Sequence, residues 1–101
     1  ELVERNARPT GKYEIDLVMS KDGLLAFVEV KYRRGTEFGD GTEAIDGLKR
    51  HRIMAAAQDW MYVSKTPMPP AGVRFDVVTV VREDDGNMVV THHEDAFGML
   101  P

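Results

Sequence analysis

Residues 13–32 of the chain read YEIDLVMSKDGLLAFVEVKY, and this stretch decides the fold. From Tyr13 to Ser20, the side chains alternate between two faces as they do along a β-strand. Asp22-Gly23 accepts the positive φ angles of a tight two-residue turn. Residues 25–32 are rich in the β-branched and aromatic side chains that favour strands. The stretch therefore predicts a β-hairpin.

A two-residue turn at Asp22-Gly23 also decides which residues of the hairpin lie opposite each other. Counting back from the turn places Asp16 directly across from Glu29. The next pair on the same face is Glu14 and Lys31. The other face is apolar and is expected to serve as core; its residues are Ile15, Leu17, Ala26, Val28 and Val30. A three-residue turn would instead shift the pairing by one position and separate Asp16 from Glu29.

Two carboxylates that face each other across a sheet need a compensating charge. Their Cβ atoms lie about 5 Å apart, where like charges are destabilising, so Asp16 and Glu29 would share a proton or hold a cation. Carboxylate oxygens are ligands that Mg²⁺ accepts, and Lys31 points the same way. This grouping suits phosphodiester hydrolysis, in which a metal ion polarises the phosphoryl group and a lysine steers water or stabilises the developing charge.

The alternative interpretation of this face is a solvated surface with a Glu14–Lys31 pair. Exposed cross-strand ion pairs are common and contribute only about 0.2–1 kcal/mol. Against it, Leu25 and Phe27 lie on the same face as Glu29, so that the strand is apolar on both sides and becomes charged only at one end. This pattern indicates the floor of a cleft.

The remaining segments complete an α/β domain. Strands are predicted at residues 2–6, 73–81 and 87–93, and a helix at residues 42–63. A loop with three prolines at residues 65–72 separates the helix from the next strand. The order is therefore β-β-β-α-β-β, a mixed sheet of about five strands with a flanking helix.

The predicted helix begins with Asp40 or Thr42 as its N-cap and Glu43 in its first turn. Its expected buried stripe is Ile45, Leu48, Ile53, Ala56, Trp60 and Val63. Lys49 and Arg52 fall on or beside that stripe. They would either reach over the cleft to a phosphate group or extend from the edge of a packed face into solvent.

Length and composition fit one globular domain spanning residues 1–101. The 101 residues are 43% hydrophobic and 30% charged, and none is cysteine, which suits a reducing compartment such as the cytoplasm. No apolar run approaches the ~20 residues of a membrane span, so no membrane association is expected. No organic cofactor is expected either. The sequence begins at Glu1 rather than Met, and upstream sequence is therefore expected to be missing.

The net charge of −4 argues against a general nucleic-acid binder, but the basic residues are clustered. Six of the thirteen are Lys31, Arg33, Arg34, Lys49, Arg50 and Arg52. Arg33 and Arg34 lie where the strand leaves the predicted site, and they would either contact a nucleic-acid backbone or form an ordinary basic loop. Elsewhere, Arg74 and Asp76 are expected to pair structurally. His92 and His93 point to opposite faces of a strand and do not suit zinc.

Several segments of this sequence resemble known nuclease families. Glu14 to Leu17 and Phe27 to Lys31 resemble the metal-binding core of the PD-(D/E)xK nucleases, the restriction-endonuclease-like group. An ordered series of segments resembles the bacterial YraN family, a largely uncharacterised set to which endonuclease activity is ascribed and which is similar to archaeal Holliday-junction resolvases. Those segments are Arg5-Asn6, Glu14 to Leu17, Val28 to Arg33, Phe38-Gly39, Lys49-Arg50, Arg74 to Val78 and Ala96-Phe97.

The resemblance implies a restriction-endonuclease-like three-layer domain that uses Mg²⁺ or Mn²⁺. It implies metal ligation by Asp16, Glu29 and the carbonyl of Val30, catalysis by Lys31, and a water or second-metal role for Glu14. Small nucleases of this type often form homodimers. The chain departs from the family in two places: Tyr13 stands where the family has glycine, and the family's opening helix, with its own glutamate, has no counterpart.

The leading hypothesis is a metal-dependent endonuclease acting on nucleic acid, DNA first and branched or junction DNA by analogy. One alternative is a non-catalytic nucleic-acid-binding module that retains the nuclease fold, with salt-sensitive binding, no metal requirement and no role for Lys31. Another is a protein-interaction module with no affinity for nucleic acid.

Overall fold

The computed structural model describes residues 1–34 and 47–97. The described elements follow the predicted order: β1 (Leu2–Ala7), β2 (Ile15–Lys21), β3 (Leu24–Arg34), α1 (Gly47–Ser64), β4 (Val73–Arg82) and β5 (Met88–Phe97). The α/β prediction of five strands and a helix is thus confirmed. The predicted helix caps, Glu43, Ile45 and the Phe38-Gly39 segment lie outside the described residues. No helix in the described ranges is long and apolar enough to cross a membrane.

The five strands form one mixed sheet in the order β1-β2-β3-β4-β5. β3 and β4 are parallel, and the other neighbouring strands are antiparallel. A parallel pair needs a long crossover connection, and α1 lies in the connection between these two strands. In this order β3 is the central strand. β4 is also an interior strand, in agreement with its nearly continuous apolar sequence.

The hairpin of β2 and β3 has the predicted register. Lys21 pairs with Leu24, and the ladder continues in step to the pair of Leu17 and Val28. Asp22 and Gly23 have φ angles of 51° and 80°, as a two-residue hairpin turn that follows the twist of its strands requires. The ladder ends one residue before Asp16, so the hairpin brings Asp16 to the end of the paired region beside Glu29.

Helix α1 packs on the face of the sheet that carries Phe27 and Glu29. Its buried residues are Ile53, Ala56, Ala57 and Trp60. The ring of Trp60 meets the ring of Phe27 edge-on at 5.8 Å, and the indole Nε1 donates a hydrogen bond of 3.0 Å to Glu4. Ala26 and Val28, on the opposite face of β3, are also buried. The main core cluster, however, takes Val18, Leu25 and Phe27 from the Glu29 face. Leu17 and Val30 of the predicted core face are only partly buried, so that prediction was wrong for these two residues.

Two residues of the predicted helix stripe are exposed instead. Leu48 is 60% exposed and Val63 is 56% exposed. Leu48 lies five residues before Ile53, which turns it off the buried face of the helix at about 3.6 residues per turn. Val63 lies in the last turn of α1, where the helix passes β1 and borders a groove that Glu4 and Arg8 also line. The predicted stripe was therefore wrong at Leu48 and Val63, because only the middle turns of α1 are packed against the sheet.

The bounds of all five strands differ from those predicted, and the changes in β2 and β5 have clear causes. β2 begins at Ile15 rather than Tyr13, since the preceding segment turns at Gly11, where φ is 76°. β5 continues to Phe97, beyond the predicted residue 93, because a bulge with Asp95 at a φ of 52° lets the strand resume its pairing with β4.

Candidate functional site

The two predicted carboxylates meet at the end of the β2–β3 ladder. Glu29 is a buried charged side chain, only 9% exposed. Asp16 is partly buried, and its Oδ2 accepts a hydrogen bond of 2.8 Å from the amide of Val30. Because the N–H and C=O of a strand residue point to the same edge, the Val30 carbonyl also faces the Asp16 side of β3. Two carboxylates and a main-chain carbonyl are therefore brought to one place.

Negative charge is concentrated at this point. Burial raises the pKa of Asp16, and the charge of Glu29 and a hydrogen bond with it raise this pKa further. The Val30 amide and the positive charge of Lys49 act in the opposite direction. Burial is the largest cause of the pKa shift, and the neighbouring Glu29 carboxylate adds to it because a like charge disfavours the ionised form of Asp16.

Two lysines compensate part of this charge. Lys49 Nζ lies 2.8 Å from Glu29 Oε1, and Lys31 Nζ lies 3.7 Å from the same oxygen. Burial lowers the pKa of Lys31, and the nearby charges of Lys49 and Arg33 lower it further, although Glu29 opposes them. Burial also acts against the charged form of Lys49, but its hydrogen bonds and the charges of the two carboxylates outweigh burial and raise its pKa. Lys49 is thus the more firmly protonated of the two amines.

Asp16, Glu29 and Lys49 line an open cleft of about 560 Å³ between the sheet and the start of the described helix. Its lining comprises Tyr13, Glu14, Asp16, Glu29, Leu48, Lys49, Arg52 and Ile53. At the rim, the guanidinium of Arg52 lies over the ring of Tyr13, 5.8 Å from its centre. The cleft thus has an acidic floor and a basic, aromatic rim.

The predicted cross-strand pair of Glu14 and Lys31 does not form. Strand β2 begins only at Ile15, so Glu14 lies outside the ladder, and its Oε2 accepts a hydrogen bond of 2.8 Å from the guanidinium of Arg8. It nevertheless lines the cleft. Glu14 therefore reaches the cleft while one of its oxygens is bound to Arg8.

The four predicted nucleic-acid contacts are divided between two faces. Lys49 and Arg52 line the cleft. Arg33 shares the Lys31 face of β3 because side chains alternate along a strand. The same alternation directs Arg34 to the opposite face, where it is exposed.

In the described part of the chain, no group of three His, Cys, Asp or Glu side chains is arranged to hold a metal ion. Asp16 and Glu29 are a pair, and Glu14 is bound to Arg8. A metal ion here would therefore take two carboxylates and complete its oxygen ligands from the main chain and water, which is a donor set that Mg²⁺ accepts.

A second charged cluster lies on the other face of the sheet. Arg74 donates two hydrogen bonds to Asp76, of 2.8 and 2.9 Å, which confirms the predicted pair. His92 Nε2 lies 2.7 Å from Asp76 Oδ2, and the Asp95 amide donates to Oδ1 at 3.0 Å. The sequence indicated the pair but not the histidine, whose contact depends on the register of β5 against β4.

Sequence reasoning also missed the contact of Arg52 with Tyr13 and the lining roles of Leu48 and Ile53. The rim contact joins a loop and a helix that are far apart in the sequence, and no local pattern encodes it. For Ile53 the available signal was its spacing of four residues from Lys49, which places both on one helix face.

The mixed five-strand sheet, the helix between its two parallel strands, and a cleft lined by a carboxylate pair and Lys49 define an α/β domain with a charged cleft. The chain belongs to the uncharacterised protein family UPF0102, whose family model matches residues 1–80. This is the YraN family that the sequence motifs resemble.

Curated relatives agree with this assignment. A UPF0102 protein of Parafrankia sp. (strain EAN1pec) is 41% identical over 97 residues, which cover 96% of this chain and 80% of the relative. One from Solibacter usitatus is 47% identical over 81 residues, 79% of this chain and 60% of the relative. One from Chloroherpeton thalassium is 33% identical over 108 residues, 100% of this chain and 81% of the relative. These names state no activity, so a function has to be argued from the cleft.

Proposed function

We propose that this chain is a metal-dependent endonuclease that hydrolyses phosphodiester bonds of nucleic acid. One observation carries the proposal: Asp16 and Glu29 converge at the floor of a cleft, with Lys31 on the same face. A purely structural carboxylate pair would be expected to avoid such repulsion, since like charges directly opposed in a sheet are destabilising. A cleft that maintains this pair suits the binding of a cation.

The residues present fit a Mg²⁺ or Mn²⁺ ion. Asp16 and Glu29 would hold it, with the Val30 carbonyl as a further oxygen, and an ammonium group already lies against Glu29 where positive charge is favoured. When bound, the ion supplies Lewis-acid activation of the phosphoryl group and of an attacking water. The Val30 amide keeps the Asp16 carboxylate in place through its hydrogen bond of 2.8 Å.

Lys31 is suited to the charge that develops on the phosphoryl oxygens. It lies 3.7 Å from Glu29 Oε1 and is largely buried, and a charge held in a water-poor site acts more strongly than one in solvent. Burial and the neighbouring Lys49 lower its pKa, which also suits a group that exchanges a proton with water. Glu14 lines the same cleft and would join as a water-orienting group.

The substrate we propose is DNA. The basic side chains of Lys49 and Arg52 line the cleft of an otherwise acidic chain, so that backbone phosphates would be attracted to the site itself. Branched or junction DNA is the first substrate to test, with two symmetric cuts if the protein acts as a homodimer. We place this activity in the cytoplasm, where a chain without cysteine meets both DNA and Mg²⁺.

The first test is Mn²⁺ titration by calorimetry. We expect one site in the wild-type chain and its loss in Asp16→Ala, because the remaining carboxylate is already paired with Lys49. Glu83→Gln, which removes an exposed carboxylate in the β4–β5 turn, is the matched control and should bind as the wild type does. Equal binding by all three proteins would place the metal elsewhere.

The second test is cleavage of a labelled four-way DNA junction and of its linear duplex arms with Mn²⁺ present. Wild-type protein should cut, and Lys31→Met should lose at least about a hundredfold in rate, as the removal of one transition-state charge partner does. Metal binding without any cutting of DNA or RNA would favour the non-catalytic module. Salt-sensitive DNA binding without metal binding would favour it further.

A further inference from the structure

We propose that Lys49 is a built-in cation of the cleft, and that a divalent metal ion binds only after the Lys49 ammonium has left Glu29. This inference rests on the proposed metal site. It adds that the free protein holds the site closed with one of its own side chains, so that metal entry and the release of Lys49 are a single exchange.

The contact follows from the register of α1 and is more than a chance surface ion pair. Lys49 lies four residues before Ile53, and residues with this spacing share one helix face. Ile53 is buried against the sheet, so the same face of the helix turns Lys49 toward the sheet. There the sheet presents Glu29, and the Nζ to Oε1 distance is 2.8 Å.

The ammonium and a metal ion would compete for the same carboxylate. Glu29 Oε1 already accepts Lys49, and an ion coordinated by this carboxylate would approach its oxygens to about 2.1 Å. Two cations on one carboxylate repel each other, and the repulsion is stronger where the carboxylate is buried, as Glu29 is. Lys49 has a flexible four-carbon side chain that is 38% exposed, so that it can swing outward, whereas the more buried Lys31 stays on the floor.

Calorimetric Mn²⁺ titration of the wild type, Lys49→Met and Arg52→Met tests the exchange. Removal of the competing ammonium should lower the dissociation constant about twofold to fivefold, the range that corresponds to breaking a partly exposed ion pair. Arg52 carries the same charge and lines the same cleft, so Arg52→Met reports the long-range effect of one lost charge. We expect it to change the constant by less than about twofold, since that effect is screened by solvent.

The outcomes separate this inference from the proposed function. Equal tightening by both substitutions, or weaker binding by Lys49→Met, would overturn the exchange and leave the metal site standing. Mn²⁺ binding by Lys49→Met, with none by the wild type or by Arg52→Met, would strongly support the exchange. No binding by any of the three proteins would overturn both proposals. Lys49→Gln serves as a second variant, and the fluorescence of Trp60, the single tryptophan, checks that α1 remains packed.

A second measurement follows the side chain itself in the wild-type protein. Acetylation by a soluble amine reagent, read by peptide mass spectrometry, should label Lys49 several times faster once Mn²⁺ saturates the calorimetric signal. The exposed Lys65 should react at the same rate in both conditions. Unchanged labelling of Lys49 at saturating Mn²⁺ would contradict the exchange.

Discussion

At the scale of single residues, Asp76 illustrates how this chain stabilises a buried charge. It is 1% exposed, and it is surrounded by Arg74, His92 and the amide of Asp95. A buried carboxylate is tolerated only when hydrogen bonds and opposite charge replace the water that it has lost. Both oxygens of Asp76 accept hydrogen bonds, so Asp76 serves the fold. Asp16 and Glu29 in the cleft differ, because they are two carboxylates opposed to each other.

Asp76→Asn should therefore destabilise the protein. The substitution keeps the volume but leaves Arg74 without its carboxylate, and we expect a loss of about 2–4 kcal/mol in the free energy of unfolding. Urea unfolding at neutral pH, followed by Trp60 fluorescence, measures this loss. Glu94→Gln is the matched control, because Glu94 lies 3.8 Å from the same arginine but is exposed; it should cost less than about 1 kcal/mol. Equal losses would show that Asp76 has no special role.

The stabilisation by Asp76 should also depend on pH in a defined direction. Although burial acts against it, the hydrogen bonds from Arg74, Asp95 and His92 lower the pKa of Asp76 below its ordinary value of 3.8. In the window below that value the unfolded chain binds more protons than the folded one, so stability falls as the pH falls. The difference in unfolding free energy between wild type and Asp76→Asn should be constant above this window and shrink within it. A difference that stays constant through the acid range would contradict the assignment.

At the scale of elements, the hairpin was predictable because its determinants are neighbours in the sequence. Alternation and the Asp22-Gly23 turn together fix the register, and the structure has that register from Lys21 to Leu17. This was enough to bring Asp16 and Glu29 together. The partner of Glu14 was not predictable, because Arg8 reaches it across a turn that carries no strand or helix pattern.

The packing of the helix was less predictable from the sequence than the hairpin, for a different physical reason. Its periodicity identified Ile53, Ala56 and Trp60 correctly, but periodicity does not say where along the helix the sheet ends. Leu48 and Val63 are consequently exposed. The contact of Lys49 with Glu29 joins residues of two elements, and it became definite only when the position of the helix over the sheet was known.

The hairpin turn itself supports a prediction at this scale. Gly23 has a φ of 80°, and a Cβ there would lie 3.1 Å from Cγ of Pro70, whereas Gly86 has a φ of 89° with open space around it. Alanine at either position should cost about 1–2 kcal/mol through backbone strain. Gly23→Ala should cost more than Gly86→Ala because it also displaces the proline loop. Urea unfolding of both variants measures the difference, and an equal cost would show that the proline contact is easily relaxed.

At the scale of the whole molecule, charge is distributed unevenly. The chain carries a net charge of −4, yet Lys31, Lys49 and Arg52 are gathered at the cleft. Interactions between exposed charges are screened beyond about 8–10 Å at physiological salt. A bound nucleic acid would therefore experience the local basic groups at the cleft more than the negative charge of the distant surface.

This distribution predicts which arginine matters for DNA binding. With EDTA present to prevent cutting, the anisotropy of a labelled four-way DNA junction gives the dissociation constant at several salt concentrations. If Arg52 contacts a phosphate from the cleft rim, Arg52→Gln should reduce the slope of log affinity against log salt by about 0.9. Arg34→Gln removes the same charge from the opposite face of β3 and should leave the slope unchanged. A larger change with Arg34→Gln would place the DNA-binding surface on the face of β3 opposite the cleft and count against the nuclease proposal.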